Sequence, residues 1–149
     1  NYVSEKILSF ASKFIDKGNK DISFYFKPHP DQKIINRKWP NINFLEPTVF
    51  IHDVLVNTDL AITSPTTSAA LDAYISGVSV LTFLSESRPN FSPLYNCKGV
   101  LFFSSYQVFE EKILYLLLSN MRNEQKINSY FTINKNLYNW KRIFSEYIN

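Results

Sequence analysis

The fold is decided by residues 60–84, which read LAITSPTTSAALDAYISGVSVLTFL. Two apolar, β-prone runs, residues 60–63 and 78–84, flank a small-residue segment, residues 69–76, with helical spacing that Gly77 closes. Strands that are apolar on both faces are typical of parallel sheets covered by helices on both sides. This stretch therefore predicts an α/β domain.

The alternation of strands and helices continues on either side of this stretch. Short aromatic or apolar runs predict further strands, and amphipathic runs predict the helices between them. The predicted strands are residues 22–26, 42–45, 60–63, 78–84 and 100–103, and an aromatic tail, residues 123–149, predicts one or two helices. The predicted fold class is α/β, a doubly wound, Rossmann-like parallel sheet of about five strands between helices.

The composition is that of a folded domain, because 45% of the 149 residues are apolar and only 19% are charged. A disordered chain would be richer in charge and poorer in aromatic residues. The length predicts one domain spanning residues 1–149. Since the chain does not begin with methionine, we expect it to be excised from a longer, two-domain protein.

The charge and the cysteine content limit the partners and the cellular compartment that we expect for this protein. The net charge is +3, from 16 Lys and Arg against 13 Asp and Glu, and the basic residues are scattered, which excludes a dedicated nucleic-acid-binding protein. The single cysteine, Cys97, fits a reducing compartment. No apolar run reaches the roughly 18 residues of a membrane span. We therefore expect a cytoplasmic protein with at most a peripheral association with the inner face of the membrane.

The loop at residues 64–68 is the strongest candidate site, because ligands of open α/β sheets bind at the carboxyl ends of the strands. Ser64 is a natural N-cap, and Pro65 suits the first helical position. A helix N-terminus attracts anions, and the hydroxyls of Thr66, Thr67 and Ser68 can donate to phosphate oxygens. The alternative is that these residues only cap the helix.

Three further loops follow predicted strands, at residues 27–30, 46–47 and 85–90. In the first, Lys27 can neutralise a phosphate and His29 can donate to one, on a loop that Pro28 and Pro30 stiffen. The alternative for His29 is a hydrogen bond to a neighbouring backbone group. In the second loop, Glu46 is a candidate contact for a ribose or a base.

The sequence lacks the residues that several other kinds of site require. Three glycines in the whole chain exclude a dinucleotide fingerprint and a Walker loop. Two histidines and one cysteine do not make a zinc site. Isolated carboxylates, such as Glu86 in the third loop, are interpreted as solvated. We therefore expect neither a metal nor a cofactor.

The order of these motifs resembles the C-terminal half of GT-B glycosyltransferases. The resemblance rests on KPHP at residues 27–30, LAITSPTTSAALDA at residues 60–73 and GVSVL at residues 77–81, with NLYNWKR at residues 136–142 similar to the family's ending. It is strongest for enzymes of bacterial surface-carbohydrate synthesis: capsule Kdo transferases, sialyltransferases, polysialyltransferases and teichoic acid glycerophosphotransferases.

The resemblance implies the donor-binding half of a metal-independent glycosyltransferase that builds capsule, lipopolysaccharide or a similar glycan. In the relatives that use CMP-sugars, a His-Pro motif and a Ser/Thr-rich motif hold the nucleotide. Their counterparts here are His29-Pro30 and Ser64–Ser68. A glycan or lipid-linked acceptor and the catalytic base belong to an N-terminal domain, so no catalytic residue is named and the fragment alone is expected to be inactive. Two alternatives stay open: half of a UDP-GlcNAc 2-epimerase-like isomerase, and a non-catalytic α/β interaction module.

Overall fold

The computed structural model describes residues 2–29, 31, 38–87, 89–118 and 138–147, and within α5 the side chains of 138 and 141–145 only. The elements, in chain order, are α1 (Tyr2–Asp16), β1 (Tyr25–Phe26), β2 (Asn43–Phe44), α2 (Ile51–Leu55), β3 (Leu60–Thr63), α3 (Ser68–Ile75), β4 (Ser79–Phe83), β5 (Val100–Phe103), α4 (Tyr106–Leu118) and α5 (Tyr138–Tyr147). Each predicted strand contains an observed one. The predicted α/β class is confirmed.

The strands form two parallel sheets where the sequence predicted one sheet of about five strands. One sheet has the order β3-β4-β5, and the other is the pair β1-β2. The second sheet is small because each of its strands has only two residues, with Tyr25 opposite Asn43 and Phe26 opposite Phe44. Pro28 follows β1 closely and lacks the backbone N–H that a longer ladder needs.

Helices cover both faces of the three-stranded sheet. Alternate residues of the strands point to opposite faces, so Leu81 and Phe83 pack toward α1 and α4. Val80 instead packs in a second cluster with Ala70 and Ala73 of α3. The central strand β4 is thus buried on both sides, as its continuous apolar run predicted, and the outer strands β3 and β5 are partly buried.

The core between the sheet and helices α1 and α4 is aromatic. Phe109 of α4 lies with its ring centroid 5.0 Å from that of Phe103 and 6.2 Å from that of Phe14. Phe14 in turn meets Phe24, just before β1, at 6.1 Å. Phe26 of β1 packs against the same cluster, so the two sheets share this core.

Gly77 closes α3 as the sequence predicted. Its φ of 76° lies in the left-handed region, which glycine adopts without steric cost. The N–H groups of Gly77 and Val78 donate to the carbonyls of Tyr74 and Ala73, at 3.1 and 3.0 Å. These bonds satisfy carbonyls at the end of the helix and turn the chain into β4.

The tail contains α5, which agrees with the predicted helix there. The sequence predicts that the tail carries a buried stripe at helical spacing, formed by Ile133, Leu137, Trp140, Phe144 and Ile148, with a helix at a membrane surface as the alternative. Four of those side chains lie outside the described part, and Phe144 is 53% exposed. No described helix combines the length and the apolar character that crossing a membrane requires.

Candidate functional site

The carboxyl ends of β3, β4 and β5 lie along one edge, because the three strands are parallel and hydrogen-bonded in register. The loops that leave this edge begin with residues 64–67, 84–87 and 104–105. All three carry serine or threonine. This is the edge at which open α/β sheets bind their ligands.

The loop after β3 caps α3 through Thr67 and not through Ser64. Thr67 is extended (φ −100°, ψ 138°), and its Oγ1 accepts a hydrogen bond from the N–H of Ala69 at 3.3 Å. The predictions that Ser64 is the N-cap and Pro65 the first helical residue are therefore wrong. Pro65 and Thr66 form a turn before the helix begins at Ser68.

Three hydroxyls in the loop and at the first residue of α3 have no hydrogen-bond partner among the described residues. Within the part of the chain that the structure describes, the side chains of Ser64, Thr66 and Ser68 make no hydrogen bond. Thr66 and Ser68 are exposed, and Ser64 is partly buried. The alternative role of these residues was to cap the helix, and of them only Thr67 does so.

A buried hydroxyl pair lies at the sheet end of this loop. Thr63, the last residue of β3, and Thr82 of β4 stand opposite each other in the ladder, and their Oγ1 atoms are 3.0 Å apart. Thr63 is 8% exposed and Thr82 is fully buried. The bond joins the ends of the two strands and so holds the start of the loop in place. Sequence reasoning missed it because an apolar run gives no sign of which threonines pair.

Lys27 links the loops after β1 and β2. Its Nζ donates to the carbonyl oxygen of Pro47 at 3.1 Å, so part of its hydrogen-bonding capacity is used within the fold. Glu46, next to that proline, is exposed. Both residues therefore sit at the end of the two-stranded sheet.

His29 is turned toward its own loop. Its Nδ1 accepts from the N–H of Asp31 at 3.3 Å and lies 3.5 Å from the Asp31 carboxylate, and the side chain is 70% exposed. This contact is a hydrogen bond to a neighbouring backbone group, which is the alternative that the sequence left open for His29. The other ring nitrogen has no hydrogen-bond partner among the described residues and so can meet a ligand. Pro30 lies outside the described residues.

The two predicted groups belong to different sheets. Lys27, His29 and Glu46 follow the two-stranded sheet, whereas residues 64–68 follow the three-stranded one. Among the described residues, no hydrogen bond or ion pair joins one group to the other. Their convergence on one ligand stays a prediction.

A cleft of about 520 Å³ opens at the carboxyl ends of β4 and β5. Its lining comes from α1, from both strand-end loops and from the start of α4, and consists of Lys6, Phe10, Ser85, Glu86, Ser87, Ser104, Ser105 and Tyr106. Sequence reasoning pointed to the loop after β4 but missed this cleft. The available signal was the pair Ser104-Ser105, placed directly between a strand and a helix.

Beside this cleft, Tyr106 belongs to a charged cluster on the surfaces of α1 and α4. Lys17 Nζ lies 2.9 Å from Glu110 Oε1, and the Tyr106 hydroxyl donates to the same oxygen at 3.0 Å. The bond from Lys17 lowers the pKa of Glu110, and the bond to Glu110 raises the pKa of Lys17. Burial, followed by the bond to Glu110, raises the pKa of Tyr106.

Comparisons with known proteins identify no relative of this chain. No family model, no curated protein and no solved structure matches this chain. In the described residues, no three His, Cys, Asp or Glu side chains are grouped so that they could hold a metal ion.

Proposed function

We propose that this chain is the donor-nucleotide-binding half of a glycosyltransferase that builds a surface polysaccharide, such as capsule or lipopolysaccharide. The observation that carries the proposal is the loop after β3. It offers the hydroxyls of Ser64, Thr66 and Ser68, none of them bonded to the described part of the chain, at the sheet edge where nucleotides bind.

The proposal includes the finer architecture of the fold. The two parallel sheets share the aromatic core on the α1 and α4 face, and helices cover the three-stranded sheet on both sides. We interpret them as two parts of one doubly wound, Rossmann-like arrangement. In that arrangement the loop after β1, with Lys27 and His29, faces the same ligand as residues 64–68.

The proposed chemistry is stabilisation of the leaving nucleotide phosphate. Donors that are already fixed in place stabilise developing negative charge without reorganising. Here they are the loop hydroxyls and the first backbone N–H groups of α3, with the free nitrogen of His29 and Lys27 from the neighbouring loop. No step requires a metal ion. The acceptor, a glycan or a lipid-linked glycan, binds to the other half of the enzyme, which also supplies the catalytic base.

The experiment is a thermal-shift series with CMP, CDP, UDP and GDP. We expect the cytidine nucleotides to raise Tm most, since the motifs resemble those of CMP-sugar enzymes. A ligand at 100 times its Kd stabilises the folded state by about 2.7 kcal/mol. The triple variant Ser64→Ala, Thr66→Val, Ser68→Ala is expected to lose the shift while keeping the Tm of the free protein.

The control variant is Thr48→Val with Ser76→Ala, which alters two exposed residues outside the loop. It should respond to nucleotide as the unchanged chain does. An equal shift in the loop variant, or no shift with any of the four nucleotides, contradicts the proposal. A shift with UDP alone contradicts the cytidine preference and favours the UDP-sugar isomerase.

A further inference from the structure

The cleft at the ends of β4 and β5 is separate from the loop proposed to hold the nucleotide. β4 lies between β3 and β5 in the sheet, and the loop at residues 64–68 follows β3. That loop leads into α3, whose buried residues Ala70 and Ala73 pack on one face of the sheet. The cleft lies on the opposite face, beside α1 and α4.

One wall of the cleft holds an ammonium group over aromatic rings. Lys6 Nζ lies 5.3 Å from the ring centroid of Phe83 and 6.0 Å from that of Phe10. It also donates to the Tyr2 hydroxyl at 3.4 Å. Lys6 forms no ion pair with a carboxylate of the described residues. The rings therefore hold the charge in place and leave donor capacity directed at solvent or a ligand.

A second part of the lining consists of serine hydroxyls around one carboxylate. Ser104 Oγ donates to Glu86 Oε1 at 2.9 Å, and the Oγ atoms of Ser85 and Ser87 are 3.0 Å apart. Each serine hydroxyl can both donate and accept, and a carboxylate accepts at several positions. This part of the lining therefore offers donors and acceptors close together.

The combination of groups selects among ligand classes. A phosphate carries one to two negative charges, so like-charge repulsion from the Glu86 carboxylate disfavours it. A sugar ring offers many hydroxyls, which donate to a carboxylate and to serine oxygens and accept from an ammonium. Its C–H faces pack against aromatic rings, and Phe10 and Tyr106 line the cleft.

We propose that this cleft binds a pyranose unit of a carbohydrate. Ring hydroxyls of the sugar donate to Glu86, exchange hydrogen bonds with Ser104 and accept from Lys6, while an apolar face of the ring lies against Phe10. The volume of about 520 Å³ falls within the range of small-molecule sites. This inference rests on the cleft alone, and it does not require that the chain bind a nucleotide.

The test is an NMR titration of the ¹⁵N-labelled chain with glucose, galactose, N-acetylglucosamine and glucuronate in turn. We expect at least one sugar to shift the amide signals of residues 85–87 and 104–106 in a saturable way. Glu86→Gln should weaken that binding by about tenfold, because it replaces a charged acceptor with a neutral amide oxygen that accepts more weakly. Lys6→Met keeps most of the apolar stem and should weaken binding similarly.

The controls separate this site from the fold and from the nucleotide site. Glu111→Gln and Lys20→Met alter exposed residues outside the cleft and should bind the sugar normally. Unchanged amide spectra elsewhere show that each variant is folded, and the loop variant with changes at residues 64, 66 and 68 should still bind sugar.

Two results would overturn the inference. One is the absence of saturable shifts at the cleft with all four sugars. The other is displacement of the sugar from the cleft by inorganic phosphate at equal concentration, which would make it an anion site. Either can occur whether or not nucleotides shift the amides of residues 64–68, so failure here is distinguishable from failure of the proposed function.

Discussion

At the scale of single residues, the contact between Lys17 and Glu110 ties the end of α1 to α4. Both side chains remain partly open to water, at 48% and 26% exposure. A bond of this kind at the surface contributes little to stability, because water screens the attraction and holding two long side chains costs entropy. Its effect is clearer in the titration of the two groups than in the free energy of unfolding.

We predict that Lys17→Met raises the pKa of Glu110 toward its ordinary value, since the bond from Lys17 is the largest cause of its lowering. The same bond makes stability depend on pH with a definite sign. A lowered carboxyl pKa favours the folded state above about pH 4.5, and this contribution is lost as the pH falls through the folded pKa. A raised lysine pKa acts below about pH 10.5 and is lost as the pH rises.

The measurement is an NMR titration of the Glu110 side-chain carboxyl carbon in the unchanged chain and in Lys17→Met. Lys20→Met, which alters an exposed lysine near the end of the same helix, is the control and should leave the Glu110 titration as it is. An identical Glu110 pKa in all three proteins would contradict the assigned contact.

At the scale of elements, the start of α3 determines how the hydroxyl loop is presented. Thr67 uses its own hydroxyl for capping, and the residues before it form a turn. Had Ser64 been the N-cap and Pro65 the first helical residue, as predicted for these two positions, the Ser64 hydroxyl would have been used in the cap. The observed start leaves the hydroxyls of Ser64 and Thr66 outside the capping interaction.

We predict that Thr67→Ala lowers the free energy of unfolding by about 1 kcal/mol, because it removes the acceptor for the N–H of Ala69. Ser64→Ala serves as the matched control and should change stability little. Urea unfolding followed by circular dichroism measures both. If Ser64→Ala proved the more destabilising of the two, the cap would lie at Ser64 after all.

At the scale of the whole molecule, the aromatic core holds α1, α4 and both sheets together. Phe109 is fully buried, and its ring lies 5.0 to 6.3 Å from the rings of four neighbours, which are Phe10, Phe14, Phe103 and Tyr106. Because α1 and α4 also form the cleft, the core positions Lys6 beside the ends of β4 and β5.

We predict that Phe109→Ala lowers the free energy of unfolding by about 3–5 kcal/mol, through lost burial and the cavity it leaves. Phe91→Ala, at a side chain that is 73% exposed, is the matched control and should stay within about 0.5 kcal/mol of the unchanged chain. Denaturant unfolding of the three proteins is the measurement. Equal stability of both variants would place Phe109 outside the core.

Much of the fold can be read from the sequence because strand positions depend on local pattern. The runs at residues 60–63 and 100–103 match β3 and β5 residue for residue. Apolar runs bounded by aspartate, glycine and serine determine them without reference to distant parts of the chain. The division into two sheets depends instead on which strands hydrogen-bond, and short strands such as β1 carry little pattern that would specify their neighbours.

The candidate site likewise has features that the local sequence determines and features that depend on the tertiary structure. By itself the sequence determined the hydroxyl loop, because serine and threonine between a strand and a helix is a local signal, and it determined the glycine that closes α3. Only the tertiary structure decided that Thr67 is the cap and that Thr63 pairs with Thr82. It alone brought Lys6 to Ser85 and Ser104 in one cleft. Lys6 is far from both serines along the chain. Their proximity arises from the packing of α1 and α4 on the sheet, a long-range effect that no local pattern records.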